Sequence, residues 1–250
     1  MLDYDLEAAV YDETRGGLPR AQAAASAVLG LLPTGARTLL DVACGTGLVT
    51  RELATNTGPG SAGCGGGGVQ VLGVDASVGM ARVAARRVGV VVGDGRRLPV
   101  RDAAVDAVTT IWLLHLLPDA RPLIAEAARV LRPGGVYLTT VDKDAAHEVA
   151  SDIDDILSAF RRRRPSDAAE LVVGEAARHG LRPEGEAGFT GHGQGRTPAA
   201  VLRAIARGGY SRQTDASPEQ IEEASRRLSA LPGQDLPRPA PTYRLLAFRA

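Results

Sequence analysis

One short segment restricts the fold of this chain more than any other: residues 38–50, TLLDVACGTGLVT. An apolar run ends near Asp41, and the small residues Ala43, Gly45 and Gly47 follow before a second apolar run begins. Because glycine accepts positive φ and has no side chain, this spacing predicts a tight strand-to-helix turn that brings backbone close to a ligand. The free N–H groups at the start of the following helix would point into the same space.

The turn alone does not identify its ligand. Nicotinamide and flavin proteins use a related G-x-G-x-x-G turn to bind pyrophosphate. Counted from Gly45 and Gly47, the position of the third glycine is occupied by Thr50. The choice between these classes therefore depends on the segments that follow.

Three later segments follow the turn in a defined order. Residues 71–77, VLGVDAS, read as a strand ending in Asp75, whose carboxylate can accept both hydroxyl hydrogens of a ribose. Residues 88–100 read as another apolar strand that ends at Asp94, a place for an adenine amino group. Residues 105–141 read as a strand, a helix and a further strand. A simple dinucleotide site requires Asp75 but not Asp94.

The order of these segments resembles the class I S-adenosylmethionine-dependent methyltransferases, especially the small-molecule type similar to the ubiquinone and menaquinone biosynthesis enzymes. The resemblance covers residues 4–141. It implies an α/β, Rossmann-like fold with a doubly wound, mostly parallel seven-stranded sheet, helices on both faces and an antiparallel last strand. It also implies S-adenosyl-L-methionine as cofactor, S-adenosyl-L-homocysteine as product, and methyl transfer to a small molecule or peptide end, in specialised metabolism.

The resemblance also places particular residues around the cofactor. Asp41 and the turn would hold the methionine part, Asp75 the ribose, and the backbone of Ile111 would lie near the sulfonium. Ala43 stands where the fullest family pattern has glycine. Because alanine favours negative φ, the backbone of the turn is expected to be slightly more restricted at this position. Of the remaining residues, Ala76 and Met80 would face the adenine and Asp94 and Gly95 its amine. The implied cofactor residues are Tyr11, Arg15, Asp41, Ala43, Cys44, Gly45, Gly47, Asp75, Ala76, Met80, Asp94, Gly95 and Ile111.

The N-terminal segment is predicted to be helical. Tyr4 and Tyr11 are seven positions apart, about two helical turns, so they can share one face. By resemblance this segment is a lid, in which Tyr11 hydrogen-bonds the cofactor and Arg15 meets its carboxylate. The competing interpretation is a packed amphipathic helix with a surface arginine.

Two residues after the fourth strand are candidates for the acceptor side of the site. His115 is the candidate general base, because ligands of open α/β sheets bind at this edge; it could instead pack against the turn before Pro118. Trp112 could form an aromatic wall or attract the methylsulfonium, or could belong to the core. Tyr4, Trp112 and His115 are the residues predicted to lie near the substrate.

Cysteine use favours structural roles. Two cysteines cannot build a disulfide framework, and no Cys/His cluster has metal-ligand spacing, so no metal is expected. Cys44 is predicted to be a small buried filler rather than a nucleophile, and Cys64 an exposed bystander. The glycine-rich residues 58–68 are interpreted as a flexible insertion, because no Lys-Ser or Lys-Thr pair follows as a P-loop requires.

Charge and hydropathy restrict the partners. Lysine plus arginine equals aspartate plus glutamate at 29 each, so no overall field favours nucleic acid. The Asn-Pro-Pro-aromatic signature of nucleic-acid amine methyltransferases is also absent. The arginine run at residues 161–164 is interpreted as a solvated helix end. With neither a leader nor a long apolar run, the expectation is a cytoplasmic enzyme without a membrane partner.

The chain is expected to form one domain with four parts. These are a helical lid (1–33), a cofactor-binding core (38–141), a helical substrate cap (142–240) and a closing strand (242–249). Within the cap, a helix over residues 167–179 is predicted to be capped by Ser166.

Two other function classes remain open at this point. A nicotinamide oxidoreductase would use the turn and Asp75 but would leave Asp94 without a role. A protein that binds S-adenosylmethionine without methylating would keep the whole binding set.

Overall fold

The computed structural model describes residues 4–58, 68–158, 165–208 and 216–250, which fold around one seven-stranded sheet. The strands are β1 Thr38–Val42, β2 Gln70–Asp75, β3 Val90–Val92, β4 Val105–Thr110, β5 Leu131–Val141, β6 Arg182–Thr190 and β7 Thr242–Arg249. Their order across the sheet is β3-β2-β1-β4-β5-β7-β6. The first five strands are mutually parallel, and β7 is antiparallel to both of its neighbours. The predicted fold class is therefore confirmed, including the antiparallel last strand.

Helices cover both faces of this sheet. They are α1 Tyr4–Glu7, α2 Tyr11–Thr14, α3 Gly17–Leu31, α4 Leu48–Thr57, α5 Val78–Ala84, α6 Arg121–Val130, α7 Asp152–Leu157, α8 Ala169–Arg178, α9 Pro198–Ala206 and α10 Pro218–Ser229. Short 3₁₀ helices span Leu114–Leu116 and Ala145–His147. On one face α6 and α8 bury Leu123 and Val172, and on the other α3 and α4 bury Val28 and Leu53. Strands buried on both sides explain the continuous apolar runs in the sequence.

A third apolar cluster joins α7, α9 and α10, apart from the two layers on the sheet. Its buried members are Ile153, Ile156, Leu157, Val201, Ala224 and Leu228. Both later helices begin with a proline, Pro198 or Pro218, in the first turn, and a Thr197 or Ser217 side chain accepts a backbone N–H there. Residues 142–240 thus contain a small core of their own.

Two local predictions are wrong. The segment carrying Tyr4 and Tyr11 is not one helix, because α1 and α2 are separate single turns. Helix α8 begins after Ala168 with no side-chain cap, and the Ser166 hydroxyl instead donates to the carbonyl oxygen of Leu114 at 2.7 Å. In the second case a distant backbone acceptor outcompetes the local capping rule.

Three sequence predictions fall on parts of the chain that are not described. The glycine-rich insertion of residues 58–68 lies, apart from its two end residues, outside the described segments. Cys64 and the arginine run at residues 161–164 also lie outside them. Among the helices of the described segments, none has the length and apolarity needed to cross a bilayer.

Candidate functional site

A cleft opens at the carboxyl ends of β1 and β4, where the connections from these neighbouring strands leave the sheet in opposite directions. This switch point is where open α/β sheets bind ligands. The cleft has a volume of about 520 Å³, including space open to solvent. Its walls are formed by the turn after β1, by residues after β4, and by the N-terminal helices. The lining residues are Tyr11, Asp12, Arg15, Gly17, Arg20, Ala21, Asp41, Ala43, Cys44, Gly45, Thr46, Leu48, Val49, Ile111 and Trp112.

The turn between β1 and α4 has a left-handed backbone at three of its residues. Gly45 and Gly47 have φ of 58° and 74°, and Ala43, despite its side chain, has φ of 59°. A Cβ at Gly47 would lie 3.0 Å from the Cβ of Ala84, whereas one at Gly45 would meet nothing within 4 Å. Gly47 is therefore required for packing against α5. Gly45 leaves open space beside the backbone of the turn.

Asp41 is buried at the base of the turn. Its two carboxylate oxygens accept hydrogen bonds from the hydroxyls of Thr50, at 2.6 Å, and Thr109, at 2.9 Å. Burial raises the pKa of Asp41 to about 6, and the two threonine hydroxyls oppose that shift. Asp41 therefore supplies a negative charge at neutral pH that is lost in mild acid.

Asp75, at the end of β2, holds the turn from the other side. One carboxylate oxygen accepts the N–H of Gly45 at 2.7 Å, and the other accepts the N–H of Ser77 at 2.8 Å. Burial raises the pKa of Asp75, and these two backbone donors oppose the shift. Each oxygen retains a further lone pair, so the carboxylate can accept more hydrogen bonds. We call residues 41–50 together with Asp75 the turn region.

Two carboxylates attach the N-terminal helices, one to the start of α5 and the other to the turn region. Asp5 accepts the hydroxyl of Ser77 at 2.5 Å and the N–H of Gly79 at 2.7 Å. Asp12 accepts the hydroxyl of Thr46 at 2.5 Å and pairs with Arg87 at 2.7 Å. Two anchors at different places on the surface account for the break between α1 and α2.

The predicted approach of Tyr4 to Tyr11 is present in spite of that break. Their ring centroids lie 6.3 Å apart. The guanidinium of Arg15 lies 5.7 Å from the centroid of the Tyr11 ring. Tyr11 and Arg15 line the cleft, whereas Tyr4 is not among its lining residues.

Opposite the turn region, an aromatic cluster is formed by Trp112, His147, Phe189 and Tyr243. The rings of Phe189 and Tyr243 pack against Trp112 at 5.6 and 5.4 Å between centroids, and His147 packs edge-on to Tyr243 at 5.8 Å. Trp112 has φ of 55°, and its backbone N–H donates to the hydroxyl of Thr140 at 2.7 Å. Trp112 belongs both to the cleft wall and to the apolar layer, so the two interpretations of this residue are compatible.

Arg20 of α3 stacks on the cleft side of this cluster. Its Cζ lies 3.4 Å from the Trp112 ring centroid, and only 8% of the residue is exposed. One Nη donates to the carbonyl oxygen of Arg15 at 3.0 Å. Burial lowers the pKa of Arg20 from its usual value. A guanidinium stacked on indole gains cation–π attraction, but its charge remains largely desolvated.

Behind Trp112, the Nε2 of His147 lies 3.2 Å from the hydroxyl oxygen of Tyr243. Burial lowers the pKa of His147 to about 3, and the positive charges of Arg196, Lys143 and Arg20 act in the same direction. The imidazole is therefore neutral at pH 7. In this state it can accept the Tyr243 proton in a hydrogen bond.

The cysteine in the turn, Cys44, is buried and unpaired as a thiol. Burial raises the pKa of this thiol, and the charges of Asp41 and Asp75 raise it further. Its Sγ lies so close to β2 that a Cβ at Gly73 would be 2.7 Å from it. Cys44 thus packs as a small protonated side chain.

The adenine-side predictions are dispersed. Ala76 is exposed and Met80 is buried in α5. Asp94 is exposed, and its carboxylate oxygens accept hydrogen bonds from Arg96. A Cβ at Gly95 would lie 2.7 Å from Val42, so this glycine is needed for close packing. None of these four residues lines the cleft as described.

The residues predicted after β4 are divided by the structure. Ile111 and Trp112 line the cleft. His115 lies in the 3₁₀ helix Leu114–Leu116 and is not among the lining residues. Within the described segments, no group of three or more His, Cys, Asp or Glu side chains could hold a metal ion.

Sequence reasoning missed Asp12, Arg20, His147 and Tyr243. A signal existed for Arg20, because it begins the buried stripe Arg20, Ala24, Val28 of an otherwise apolar helix. No comparable signal existed for His147 and Tyr243, which meet only because β7 inserts beside β5.

Comparison with known proteins agrees with this geometry. Residues 40–139 match a family described as "Methyltransferase domain". A demethylmenaquinone methyltransferase from Mycolicibacterium paratuberculosis is 40% identical over 113 residues, which cover 45% of this chain and 44% of the relative. A ubiquinone/menaquinone biosynthesis C-methyltransferase from Acidiphilium cryptum is 38% identical over 40% of each chain. The chain thus matches less than half the length of these relatives.

Solved structures with low sequence identity share the fold over a longer span. The [4+2]-cyclase SpnF has a TM-score of 0.61 at 19% identity, covering 98% of this chain and 93% of that one. Geranyl diphosphate C-methyltransferase from Streptomyces coelicolor has a TM-score of 0.53 at 17% identity, covering 91% and 76%. Residues 40–139 of this chain are therefore similar to a methyltransferase domain and to parts of ubiquinone and menaquinone biosynthesis methyltransferases.

Proposed function

We propose that the protein transfers a methyl group from S-adenosylmethionine to a small molecule or a peptide end. The observation that carries this proposal is the glycine turn bound to Asp75 at the carboxyl end of β1, inside the matched methyltransferase domain. The relatives described above are named as a demethylmenaquinone methyltransferase and a ubiquinone/menaquinone biosynthesis C-methyltransferase. The acceptor is proposed separately, because the family match ends at residue 139 and includes neither β6, β7 nor the helices between residues 142 and 240.

The residues of the cleft fit the cofactor. Gly45 leaves open space beside the turn, and both oxygens of Asp75 have lone pairs to spare for a ribose. Asp41 would attract the methionine ammonium, and Arg15 would attract its carboxylate, since Arg15 has no ion pair within the described residues. Ile111 would offer backbone near the sulfonium. The adenine would lie beyond the cleft, against the loops after β2 and β3. These loops would form the outer wall of the site and would bring the adenine next to Ala76, Met80, Asp94 and Gly95.

When bound, S-adenosylmethionine would supply an activated methyl group, which would pass to the acceptor as its bond to the sulfonium breaks and S-adenosylhomocysteine is left. This chain's task is to align the two reactants and exclude water, which together can lower a barrier by on the order of 7 to 11 kcal/mol. The N-terminal helices, attached through Asp5 and Asp12, are placed to act as the lid over the turn region. The lid and the helical cap of residues 142–240 would enclose the acceptor.

The described cleft is lined by neither a histidine nor a thiolate, since its cysteine thiol is protonated and the predicted base, His115, is not part of the lining. Its two carboxylates are engaged, Asp41 with the hydroxyls of Thr50 and Thr109, and Asp12 with Thr46 and Arg87. We infer that the acceptor atom is nucleophilic as it arrives, or needs its proton removed only late in the reaction.

A cytoplasmic location is also proposed, from the resemblance to quinone methyltransferases.

The alternative to methyl transfer is a non-methylating use of the same cofactor. A nicotinamide oxidoreductase is disfavoured by Thr50 at the third glycine position and by the family match. The first experiment is calorimetric titration with S-adenosylmethionine, S-adenosylhomocysteine and NAD, followed by measurement of S-adenosylhomocysteine release with a panel of acceptors. We expect micromolar binding of both sulfur nucleotides and none of NAD. Binding of NAD alone would overturn the proposal, and tight sulfur-nucleotide binding without release for any acceptor would favour the non-methylating alternative.

A further inference from the structure

The acceptor side of the cleft contains a buried cation without an anionic partner. No carboxylate of the described residues pairs with Arg20, and its Nε is buried without an acceptor. The indole Nε1 of Trp112, which stacks on the same guanidinium, is also buried without an acceptor. Two adjacent unsatisfied donors at one cleft wall are costly, because each has lost water without gaining a partner.

The surroundings of Arg20 are positive as well. Arg15 lines the same cleft, and Lys143 and Arg196 approach the aromatic cluster from the other side. Their carboxylate partners are loosely placed, with Lys143 3.7 Å from Asp144 and Arg196 3.9 Å from Asp154. Of the two acids that line the cleft, Asp12 pairs with Arg87, and Asp41 accepts hydrogen bonds from Thr50 and Thr109 at the base of the turn. This side of the cleft therefore has an excess of positive charge.

The proposed cofactor does not remove this excess. S-adenosylmethionine carries a sulfonium and an ammonium but only one carboxylate, so it adds net positive charge to the cleft. Its carboxylate is already assigned to Arg15, and its ammonium to Asp41. Arg20 would remain without an anionic partner in the loaded site, since its hydrogen bonds go to the carbonyl oxygen of Arg15 and to the Tyr11 side chain. A neutral acceptor would leave the buried guanidinium in that state, which is unfavourable.

We propose that the methyl acceptor carries an anionic group, a carboxylate or a phosphate, which Arg20 binds while Trp112 forms the wall beside it. This inference rests on the proposed methyl transfer, because it names the substrate class for the same cleft. Arginine is suited to the role, since its planar guanidinium presents paired donors to planar or tetrahedral oxyanions and stacks on aromatic rings. Arg20 is then a specificity-determining residue on the acceptor side.

Trp112 provides a direct readout, because it is the only tryptophan in the chain and contacts Arg20. We would titrate the protein with sodium acetate, inorganic phosphate and acetamide at constant ionic strength, following tryptophan fluorescence. Acetate and acetamide match in size and differ in charge, and both are small enough not to depend on acceptor shape. Saturating S-adenosylhomocysteine would be present, so that its own carboxylate occupies the cofactor position. The variants would be Arg20→Gln and, as control, Arg178→Gln, whose side chain is 71% exposed on α8.

The wild type should bind acetate about tenfold or more tightly than acetamide, a difference of about 1.4 kcal/mol. Arg20→Gln should abolish that preference while S-adenosylhomocysteine affinity stays near that of wild type, and Arg178→Gln should keep the preference. Equal binding of acetate and acetamide to the wild type, or no saturable response to either anion, would overturn the inference even if Arg20→Gln failed to fold. The inference would also be overturned if a folded Arg20→Gln variant still bound acetate more tightly than acetamide. A large loss of S-adenosylhomocysteine affinity in Arg20→Gln would assign Arg20 to the cofactor carboxylate instead.

The two proposals fail in different ways. If S-adenosylhomocysteine does not bind the wild type, the proposed function is wrong. The acetate and acetamide titrations are then made with the protein alone. If S-adenosylhomocysteine binds and acetate shows no advantage, the proposed function stands and only the anionic acceptor is wrong.

Discussion

The turn region and the aromatic cluster face each other across one cleft but are constructed in opposite ways. The turn region comes from one continuous run of sequence plus Asp75, and its donors and strained positions belong to the backbone. The aromatic cluster and Arg20 come from five separate segments, and their contacts are between side chains. The part proposed to hold the cofactor is thus local, whereas the part proposed to face the acceptor is assembled from distant residues. Changes in one should leave the other nearly intact, and the following variants test that separation.

The largest effect is expected for Asp75→Ala. Besides its proposed bonds to ribose, Asp75 holds the N–H groups of Gly45 and Ser77, so its removal disturbs both ligand and turn. Charge-assisted bonds of about 1.5 to 3 kcal/mol each predict a loss of S-adenosylhomocysteine affinity of about tenfold or far more. Calorimetry measures the loss, with the exposed Asp235→Ala as control. Unchanged affinity would remove Asp75 from the cofactor site, and altered Trp112 fluorescence would contradict the separation.

Asp41→Asn should change how stability depends on pH. The folded carboxyl has a pKa of about 6 against 3.8 for a free side chain, so the native state holds the proton more tightly. Wild type therefore loses stability relative to Asp41→Asn as pH rises from about 4 to about 7, by about 1 to 3 kcal/mol. Denaturant unfolding of both proteins across this range measures the difference. A constant difference would mean that Thr50 and Thr109 keep Asp41 ionised.

Gly47→Ala and Gly45→Ala form a matched pair within the turn region. Both place alanine at positive φ, at a cost of about 1 to 2 kcal/mol. Only Gly47→Ala also crowds Ala84 and Val88, so its free energy of unfolding should fall further, by about 1 kcal/mol more. Gly45→Ala should instead weaken cofactor binding, because its methyl group enters open space beside the turn. Equal stability of the two variants would show that α5 shifts freely.

Tyr243→Phe tests the aromatic cluster. It removes the hydroxyl 3.2 Å from His147 and leaves a buried imidazole nitrogen without that partner. We expect a loss of about 1 kcal/mol in the free energy of unfolding, with S-adenosylhomocysteine affinity unchanged. Thermal unfolding and calorimetry on the same samples measure both quantities. A matching fall in cofactor affinity would show that the cluster and the turn region act as one unit.

The smallest effect is expected for Ala43→Gly. The left-handed backbone at φ of 59° costs alanine about 1 to 2 kcal/mol, part of which is offset because glycine is more flexible in the unfolded chain. The variant should be more stable by about 1 kcal/mol or less. Denaturant unfolding would measure the gain. A loss of stability would mean that the alanine methyl group contributes packing that exceeds its backbone strain.

The same contrast explains what could be predicted from the sequence. The strand ends, the glycine turn and the positions of Asp41 and Asp75 were predictable because their meaning depends on adjacent residues. Arg20 could have been noticed as a charge on an apolar stripe, but its partner Trp112 could not, since that contact depends on how α3 crosses the sheet. The predictions of a Ser166 cap and of one N-terminal helix were wrong for the same reason. Distant partners decide these conformations: Leu114 for Ser166, and Ser77 and Thr46 for the N-terminal segment.

The position of β7 between β5 and β6 has a consequence for how the protein is made. Translation delivers the strands in chain order, so β1 to β5 can pair while the ribosome is still adding the later residues. Until residues 242–249 emerge, one edge of β5 has no neighbour and can pair with another chain. Tyr243 arrives with that last strand, so the proposed acceptor wall is completed only after residues 242–249 have emerged. The residues of the glycine turn are therefore made well before those of the aromatic cluster are complete.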